Sequence, residues 1–288
     1  MSDTIPNSFK VAFDDECKLV YQDSGQRMKK VVRTEKSDGS TYTFQLLGKG
    51  EASQKARGAQ IPRMNLNHTA PTATLGKWYA SEPIDDLDRL VQSYDELKKL
   101  ASICTMAVGR AEDTIIKNAI VAGAVGAGNT IDHNSLGWTL VKAKMLHRAF
   151  GQNFIFDSGM GNNVVFVTSM GFEDLLSIDG FSNADYMGQE EMPFKMSGLQ
   201  GKRWMGFEWY TWDSLTHNSS THVTTNVAFN SECVGYAHAA DIITKVYNND
   251  DTDETVAMAK TYGGATAIDT DGLMVIYTYE PDLTESGT

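Results

Sequence analysis

Two short motifs in the sequence are of types that could bind a nucleotide or a metal ion. GAVGAG at 123–128 is rich in glycine, but its spacing is not GxGxxG and it ends a predicted helix, whereas that motif opens a helix after a strand. His217 and His222 flank the polar loop HNSSTH, yet no third His, Cys or carboxylate stands beside them at metal-ligand spacing. We therefore interpret the glycines as a helix stop and the two histidines as solvated loop residues.

The remaining candidates for chemistry are equally isolated. The acidic stretches DDTDE (250–254) and DTDG (269–272) lack the closing Glu of an EF-hand, so they are predicted to be solvated turns. Cys17, Cys104 and Cys233 show no CxxC spacing and are predicted to be buried thiols. No nucleophile elbow or spaced pair of carboxylates appears. The sequence predicts no catalytic residue, no metal and no cofactor, which makes an enzyme the minority interpretation.

Composition and charge restrict the class of protein further. The chain has 288 residues, of which 41% are hydrophobic, enough for one large domain or two smaller ones. Its net charge is −12, but residues 1–80 carry 12 Lys and Arg against 8 Asp and Glu, so that part is net positive. A net acidic protein is a poor sequence-independent DNA binder. The charge distribution also fits a basic arm lying on the acidic body of another copy.

No membrane partner is expected. The start MSDTIPNSFK lacks the apolar core of a signal peptide, and no window reaches the roughly 18 apolar residues of a membrane span. We expect a soluble protein that is not exported.

The elements that follow an N-terminal arm at 1–30 begin with a predicted hairpin. VVRTE and TYTFQLL flank a turn at Asp38-Gly39, and Tyr42, Phe44 and Leu46 alternate with polar residues at the strand period. After the polar segment GKGEASQKARGAQIP comes a second strand-like run, IPRMNLNHT, which predicts a two-stranded ribbon with a long basic end. A loop of that length is either disordered or functional, and such a ribbon needs another surface for stability.

A long helix is predicted next. Apolar residues recur at three- and four-residue steps from Leu87 to Ala119. The start offers capping residues, Ser81, Pro83, Asp85 and Asp86, and Gly123, Gly126 and Gly128 end the run. Some 38 residues at about 1.5 Å each would give a helix on the order of 55 Å long.

The rest of the chain mixes short helices with strands, so the fold class is α+β. A helix is predicted at about 135–150, with Leu136, Leu140, Ala143 and His147 on one face. NVVFVT reads as a buried strand, Ser169 as the cap of the next helix, and KRWMGFEWYTW as one strand. Further strands are predicted in HVTTNVAF, CVGYAHA, DIITKVY, TVAMAKTYGGA and GLMVIYTY.

The order of these parts resembles that of the major capsid protein of tailed bacteriophages, whose fold is shared with herpesvirus capsid floors and encapsulins. VVFVTSMGFEDLL resembles the strand and helix of its A-domain, GKRWMGFEWYTWDSL the loop and strand that follow, and VAMAKTYGGATAIDTDGLMVIYTYE the closing strands. The resemblance implies an N-arm, an extended β-hairpin E-loop, an antiparallel P-domain sheet with a spine helix, and a mixed A-domain. Their bounds would be 1–30 for the N-arm, 31–80 for the E-loop, 81–133 with 240–268 for the P-domain, and 134–239 with 269–288 for the A-domain.

The same resemblance implies a function and partners. The chain would self-assemble through pentamers and hexamers into an icosahedral shell around double-stranded DNA, in a virion assembled in the host bacterial cytoplasm. The segment 48–62 would be the tip of the E-loop, with Lys49, Lys55, Arg57 and Arg63 as candidates for contacts to an acidic neighbouring subunit. The implied partners are other copies, a scaffolding protein, a portal protein, a decoration protein and weakly held DNA. The scaffold would be a separate chain, because no long scaffolding extension precedes the arm.

Two alternatives and one variation stay open at this point. An encapsulin-like shell shares the fold but encloses proteins, and a soluble α+β enzyme with an unrecognised site belongs to another class. Some relatives crosslink a Lys and an Asn of adjacent subunits, and Lys49 or Lys55 would be placed for this, but no matching Asn or catalytic Glu is identified.

Overall fold

The computed structural model describes residues 22–64, 66–85, 96–182, 200–249, 252 and 254–281. These residues form an α+β fold with two compact units. Unit 1 contains the chain up to Gly25 together with Lys77–Ala111 and Ala240–Tyr262. Unit 2 contains Gln26–Gly76, Glu112–Ala239 and the chain from Gly263.

The strands and helices are numbered in chain order. The strands are β1 Arg33–Lys36, β2 Thr41–Thr43, β3 Leu46–Leu47, β4 His68–Thr69, β5 Thr72–Thr74, β6 Gly76–Asp85, β7 Thr130–Ile131, β8 Asn163–Val167, β9 Gln200–Trp204, β10 Phe207–Thr211, β11 Thr216–Asn218, β12 Val223–Asn230, β13 Val234–Asn249, β14 Glu254–Ala267 and β15 Leu273–Tyr279. The α-helices are α1 Glu96–Gly126, α2 Leu140–Gln152, α3 Ile155–Ser158, α4 Ser169–Leu176 and α5 Asp179–Ser182. Two 3₁₀ turns lie at Ser231–Cys233 and Thr270–Gly272.

The strands form two larger sheets and a ribbon. One sheet has the order β1-β13-β14-β6, and β1 pairs with β13 in parallel. The other has the order β7-β15-β12-β8-β10-β9, with β11 beside β12. It is mixed, because β8 and β10 are parallel whereas β12 is antiparallel to both of its neighbours on that path. The ribbon consists of β2 with β5 and β3 with β4.

In unit 1, helix α1 packs on strands through small side chains. Cys104 and Val108 of α1 contact Ala80 of β6, Ile242 of β13 and Ala259 of β14. The small residues allow the helix backbone to approach the strands closely.

In unit 2, the mixed sheet has an apolar layer on each face, as expected for a strand such as β8 that is buried on both sides. Val164 and Phe166 of β8 point into a cluster with Ile116 and Ile120 of α1. The alternate residues of β8 point into a second cluster, which α2, α4 and α5 cover. Each face of the sheet is therefore closed by helices.

Two consecutive carboxylates, Glu112 and Asp113, are fully buried on α1. A buried charge is stable only when it is paired and hydrogen-bonded, and here the donors come mainly from the segment 26–29 that precedes β1. This segment is thereby fixed on the helix without belonging to a sheet. The donors to Glu112 are Nε2 of Gln26 at 2.9 Å, the hydroxyl of Tyr236 at 2.9 Å and Nζ of Lys29 at 3.4 Å, and the donors to Asp113 are the backbone N–H groups of Arg27 and Met28 at 3.0 Å.

Several predicted elements are confirmed. Helix α1 ends at Gly126, as the glycine run indicates, and NVVFV is buried strand β8. Cys104 and Cys233 are buried free thiols, whereas Cys17 lies outside the described residues. The arm up to residue 21, the expected first turns of the long helix at 86–95 and most of DDTDE also lie outside them.

Two predictions near the start of the chain are wrong. The segment 31–35 does not form a hairpin with 41–47, because β1 pairs with β13 more than 200 residues away in sequence, with Arg33 opposite Gly235. Ser81, Pro83 and Asp85 do not cap the long helix, because they belong to strand β6, and Asp86 lies outside the described residues. In both cases a long-range sheet partner overrides the local turn or cap residues.

Three predictions in the second half also need correction. KRWMGFEWYTW is two antiparallel strands joined at Met205-Gly206, where φ is 51° and 80°, as a tight type I′ hairpin turn requires. The cap of α4 is Thr168, whose hydroxyl accepts from the N–H of Gly171 at 3.0 Å, and not Ser169. Helix α2 buries Ala143, Leu146 and Phe150, whereas the predicted face residues Leu136, Leu140 and His147 are exposed.

Lys142 on α2 is a buried lysine, 4% exposed. Its Nζ donates to the carbonyls of His133, Leu136, Gly137 and Tyr277 at distances from 2.6 to 3.2 Å. Burial lowers the pKa of Lys142, and the negative charges of Asp174 and Glu280 partly oppose that shift. The ammonium group thus ties the loop before α2 to the last strand of the sheet.

Replacing Lys142 with Met should destabilise the protein by about 1–3 kcal/mol, because several partly buried carbonyls lose their donor. The measurement is chemical denaturation of the unassembled chain. Lys144→Met on the exposed side of the same helix is the matched control and should change stability by no more than about 0.5 kcal/mol. Equal effects of the two substitutions would contradict the bonding role of Lys142.

The thiol of Cys233 should be chemically inert in the folded protein. Burial raises the pKa of Cys233 to about 12, so the reactive thiolate is absent near neutral pH. We expect no labelling of Cys104 or Cys233 by iodoacetamide at pH 8, and full labelling in guanidinium chloride, as read by peptide mass spectrometry. Labelling of native Cys233 at the unfolded rate would contradict its burial.

Candidate functional site

The ribbon positions the basic loop that the sequence singles out. Thr41–Thr43 pairs with Thr72–Thr74, and Leu46–Leu47 pairs with His68–Thr69, both antiparallel. Backbone bonds such as Gly48 N–H to Asn67 carbonyl, at 2.8 Å, extend the pairing to the base of the loop. A two-stranded ribbon is therefore present, formed by 41–47 with 68–74. The predicted second strand at 61–69 is wrong apart from His68–Thr69, because 61–64 lies in the exposed loop.

One aromatic side chain anchors the ribbon to the body of unit 2. Phe44 is 2% exposed and its ring lies directly over Gly235 of β13, where the Cβ of any other residue would overlap the ring. Ala73, Ala237 and Ile268 complete the surrounding apolar cluster. The position of the ribbon thus depends on a large residue on one strand and a missing side chain on the other.

Beyond this anchor, the chain from Leu47 to Met64 is exposed at every residue. It turns at Ala56–Ala59, where Gly58 has a φ of 82° and Ala59 donates to the Ala56 carbonyl at 3.1 Å. Three large apolar side chains stand in water along it: Ile61 (78% exposed), Leu47 (61%) and Met64 (54%). Such a concentration of exposed apolar groups in one loop is typical of an interaction surface.

The structure separates the four predicted basic residues into two kinds. Nζ of Lys49 donates to the Asp271 carboxylate of the same chain at 2.8 Å, and this hydrogen bond raises the pKa of Lys49. Lys55, Arg57 and Arg63 are exposed on the loop, and none of these three forms an ion pair with the part of the chain that the structure describes. Three of the four side chains thus point their charge into solvent on one loop.

Sequence reasoning missed the apolar half of this surface. Leu47, Ile61 and Met64 were assigned to strand-like runs and not to a contact surface. Their signal is that Ile61 and Met64 stand among polar residues with Pro62 between them, outside any strand period. The exposed loop is therefore amphipathic as well as basic.

The described residues also provide no metal site. No group of three or more His, Cys, Asp or Glu side chains among them could hold a metal ion. His217 is exposed but lies on strand β11 and not, as predicted, in a loop, and its Nδ1 lies 2.8 Å from the Thr224 hydroxyl. In the same part of the chain, no helix is long and apolar enough to cross a membrane.

Comparison with protein families decides what kind of protein carries this loop. A family model described as phage capsid protein matches residues 5–280. The chain belongs to the phage capsid protein family. The predicted function, major capsid protein of a tailed phage, is confirmed, and the encapsulin-like alternative is not favoured. Because the family is structural, the capsid protein is not an enzyme, and it is a component of the virion capsid that self-assembles into a shell.

Solved structures share the fold of this capsid protein at low sequence identity. The capsid of cyanophage P-SCSP1u is 14% identical, with a TM-score of 0.68 over 95% of this chain and 94% of that chain. The capsid of Ralstonia phage GP4 is 11% identical, with a TM-score of 0.69 over 98% of both chains. A chain of Mycobacterium phage Che8 is 14% identical, with a TM-score of 0.67 over 94% of this chain and 97% of that chain. No curated protein sequence matches the chain.

Phe44→Ala should release the ribbon of the capsid protein. Removing a buried Phe costs about 3–5 kcal/mol, and the two short pairings of the ribbon cannot replace that contact. We expect faster proteolysis within 41–75 in the unassembled chain, read by mass spectrometry of the fragments. Leu47→Ala, at a residue that is 61% exposed, is the control and should be cleaved at the wild-type rate. Unchanged cleavage in Phe44→Ala would show that the ribbon is held elsewhere.

Proposed function

We propose that this capsid protein assembles through pentamers and hexamers into an icosahedral shell around double-stranded DNA, with the loop 47–64 lying on a neighbouring subunit. The observation that carries the proposal is the unbroken exposure of this loop together with its three exposed apolar side chains. A loop with this composition gains the free energy of ordering from a surface outside its own chain.

The free energies involved fit assembly from many weak contacts. Covering roughly 1,000 Å² at about 25 cal/mol per Å² gives a gross gain on the order of 25 kcal/mol, most of which is cancelled by ordering and association costs. A single contact is then reversible. Closed rings and a closed shell multiply such contacts, so the complete particle is far more stable than any pair of subunits.

The charges favour contact of the loop 47–64 with the acidic part of a neighbouring subunit. Lys55, Arg57 and Arg63 carry free positive charge on the loop, while residues 81–288 have a net charge of −16. A positive loop meeting an acidic neighbour speeds encounter and disfavours loop-to-loop pairing. These contacts should weaken as salt screens the exposed charges.

The capsid parts are proposed to follow the bounds expected from the sequence. The N-arm would be 1–30 and the E-loop 31–80. The P-domain assignment is supported in part by unit 1, which joins Lys77–Ala111 to Ala240–Tyr262. The remainder, 134–239 with 269–288, would be the A-domain and lies within unit 2.

Further partners belong to the same proposal. They are a separate scaffolding protein, a portal protein, a decoration protein and packaged DNA, with assembly in the host bacterial cytoplasm. The net acidic chain would hold DNA weakly, which favours packaging because a strongly attractive wall would impede the movement of DNA.

The test is sedimentation velocity of the purified chain with and without a candidate scaffold, followed by electron microscopy of the fastest species. We expect rings of five and six or closed shells. Ile61→Ser with Met64→Ser should raise the concentration needed for assembly by at least about tenfold, because each side chain loses an apolar contact of more than about 1 kcal/mol. The thermal stability of the unassembled chain should stay unchanged, since both residues are exposed in it.

Val246→Ser, at another exposed apolar residue, is the matched control and should assemble like the wild type. A chain that stays monomeric under all conditions would overturn the proposed assembly. Normal assembly of the Ile61/Met64 variant would overturn only the role of the loop.

A further inference from the structure

Helix α2 presents an exposed face that is apolar and basic. Val141 is 60% exposed and Met145, one turn later, is 44% exposed, while Lys144 and Arg148 are exposed beside them. The helix LVKAKMLHRAFGQ contains no Asp or Glu. Its opposite face is already used, because Ala143, Leu146 and Phe150 are buried in unit 2.

A surface of opposite charge lies on two other helices of the same unit. Helices α4 (SMGFEDLL) and α5 (DGFS) contain no Lys or Arg. Glu173 and Asp179 are exposed there, whereas Asp174 is partly buried and accepts from the Trp138 N–H at 2.8 Å. The α4–α5 surface therefore carries two carboxylates that point into solvent.

The two surfaces lie on the same side of one sheet. Both pack on the same face of the mixed sheet, since Leu146 of α2 and Leu175 of α4 belong to one apolar cluster. Helix α2 contacts edge strand β7. Helix α5 lies at the other edge, because Nζ of Lys202 on β9 donates to the Phe181 carbonyl at 2.9 Å. A basic apolar patch and an acidic patch thus stand on different helices of one helical layer.

We propose that α2 of one subunit docks on the α4–α5 surface of the next copy, head to tail. The inference rests on the proposed assembly and assigns a second surface to it, separate from the loop 47–64. The occupant is another copy, because the complementary charge is present on the chain itself and the protein forms a shell. A head-to-tail contact uses two different patches and closes into a ring when its rotation divides a full turn.

A two-fold contact of α2 with itself is disfavoured by its charges. Such a contact would bring Lys144 and Arg148 of one copy next to the same residues of the other, and like charges across an interface are repulsive. The α4–α5 surface meets the same objection, because it would place Glu173 and Asp179 beside their own equivalents. Each patch therefore selects the other.

Reversing the charges tests this pairing. Lys144→Glu with Arg148→Glu, and separately Glu173→Lys with Asp179→Lys, should each reduce the assembled fraction about tenfold or more, because like charges then face each other. An equimolar mixture of the two variants restores opposite charges only where the two alternate around a ring. The mixture should therefore form six-membered rings, which allow alternation, but not five-membered rings, which do not. Sedimentation velocity and class averages from negative-stain images give the readout.

Controls separate this inference from the proposed assembly. Each variant should keep the circular dichroism and melting temperature of the wild-type monomer, and Lys36→Glu, an exposed charge reversal on β1, should assemble normally. If the charge-reversal variants of α2 and of α4–α5 assemble as well as the wild type, the pairing is wrong while the proposed assembly stands. The same holds if mixing the two variants does not restore ring formation. If the two α-helical variants lose binding only to a scaffolding protein, the patches serve that partner and the proposal is overturned.

Discussion

The contact of Phe44 with Gly235 is the constraint on which the exposed ribbon depends. The two pairings of the ribbon cover three and two residues on each strand, too few to be stable in water without another surface. The ring supplies that surface because β13 has no side chain where the ring lies. Everything from Leu47 to Met64 extends from this buried contact, so the loop that carries the exposed apolar and basic groups is held at its base, while every residue along it is exposed.

Buried charged groups also hold in place segments that do not pair with a strand. Glu112 and Asp113 accept hydrogen bonds from the segment 26–29, and Lys142 donates hydrogen bonds to carbonyls of the loop before α2. In each case a charged group supplies several hydrogen bonds to backbone or side-chain groups that a neighbouring strand would otherwise have bonded. Irregular parts of the chain therefore keep a defined position.

The sequence predicts those elements that depend on neighbouring residues in the chain, and it fails where an element depends on a distant partner. The stop of α1 at Gly126, the buried strand β8 and the first side of the ribbon at 41–47 follow from local patterns and are present. The pairing of β1 with β13 depends on a distant partner, and the turn at Met205 requires a positive φ at a residue that gives no such signal. Helix α2 has apolar residues on two faces, so periodicity alone could not tell the buried face from the exposed one.

The candidate site shows the same limit. Charge identified the loop and three of its solvent-facing cations, but it did not reveal that Lys49 bonds within its own chain or that Ile61 and Met64 are exposed. Both facts depend on which surface covers a side chain, and in an assembling protein that surface belongs partly to another copy. A single sequence encodes both halves of such a contact without stating which residues meet.

The bond between Lys49 and Asp271 bears on the proposed contact of the loop with a neighbouring subunit. An exposed ion pair contributes about 0–1 kcal/mol, so exchanging it for an equivalent pair on a neighbour is nearly neutral in energy. What decides between the two is then the local concentration of acceptor carboxylates around Lys49. Dilute subunits should keep the base of the loop on themselves. Inside a growing rim, where neighbours are held at higher local concentration, the same bond should yield without any chemical trigger.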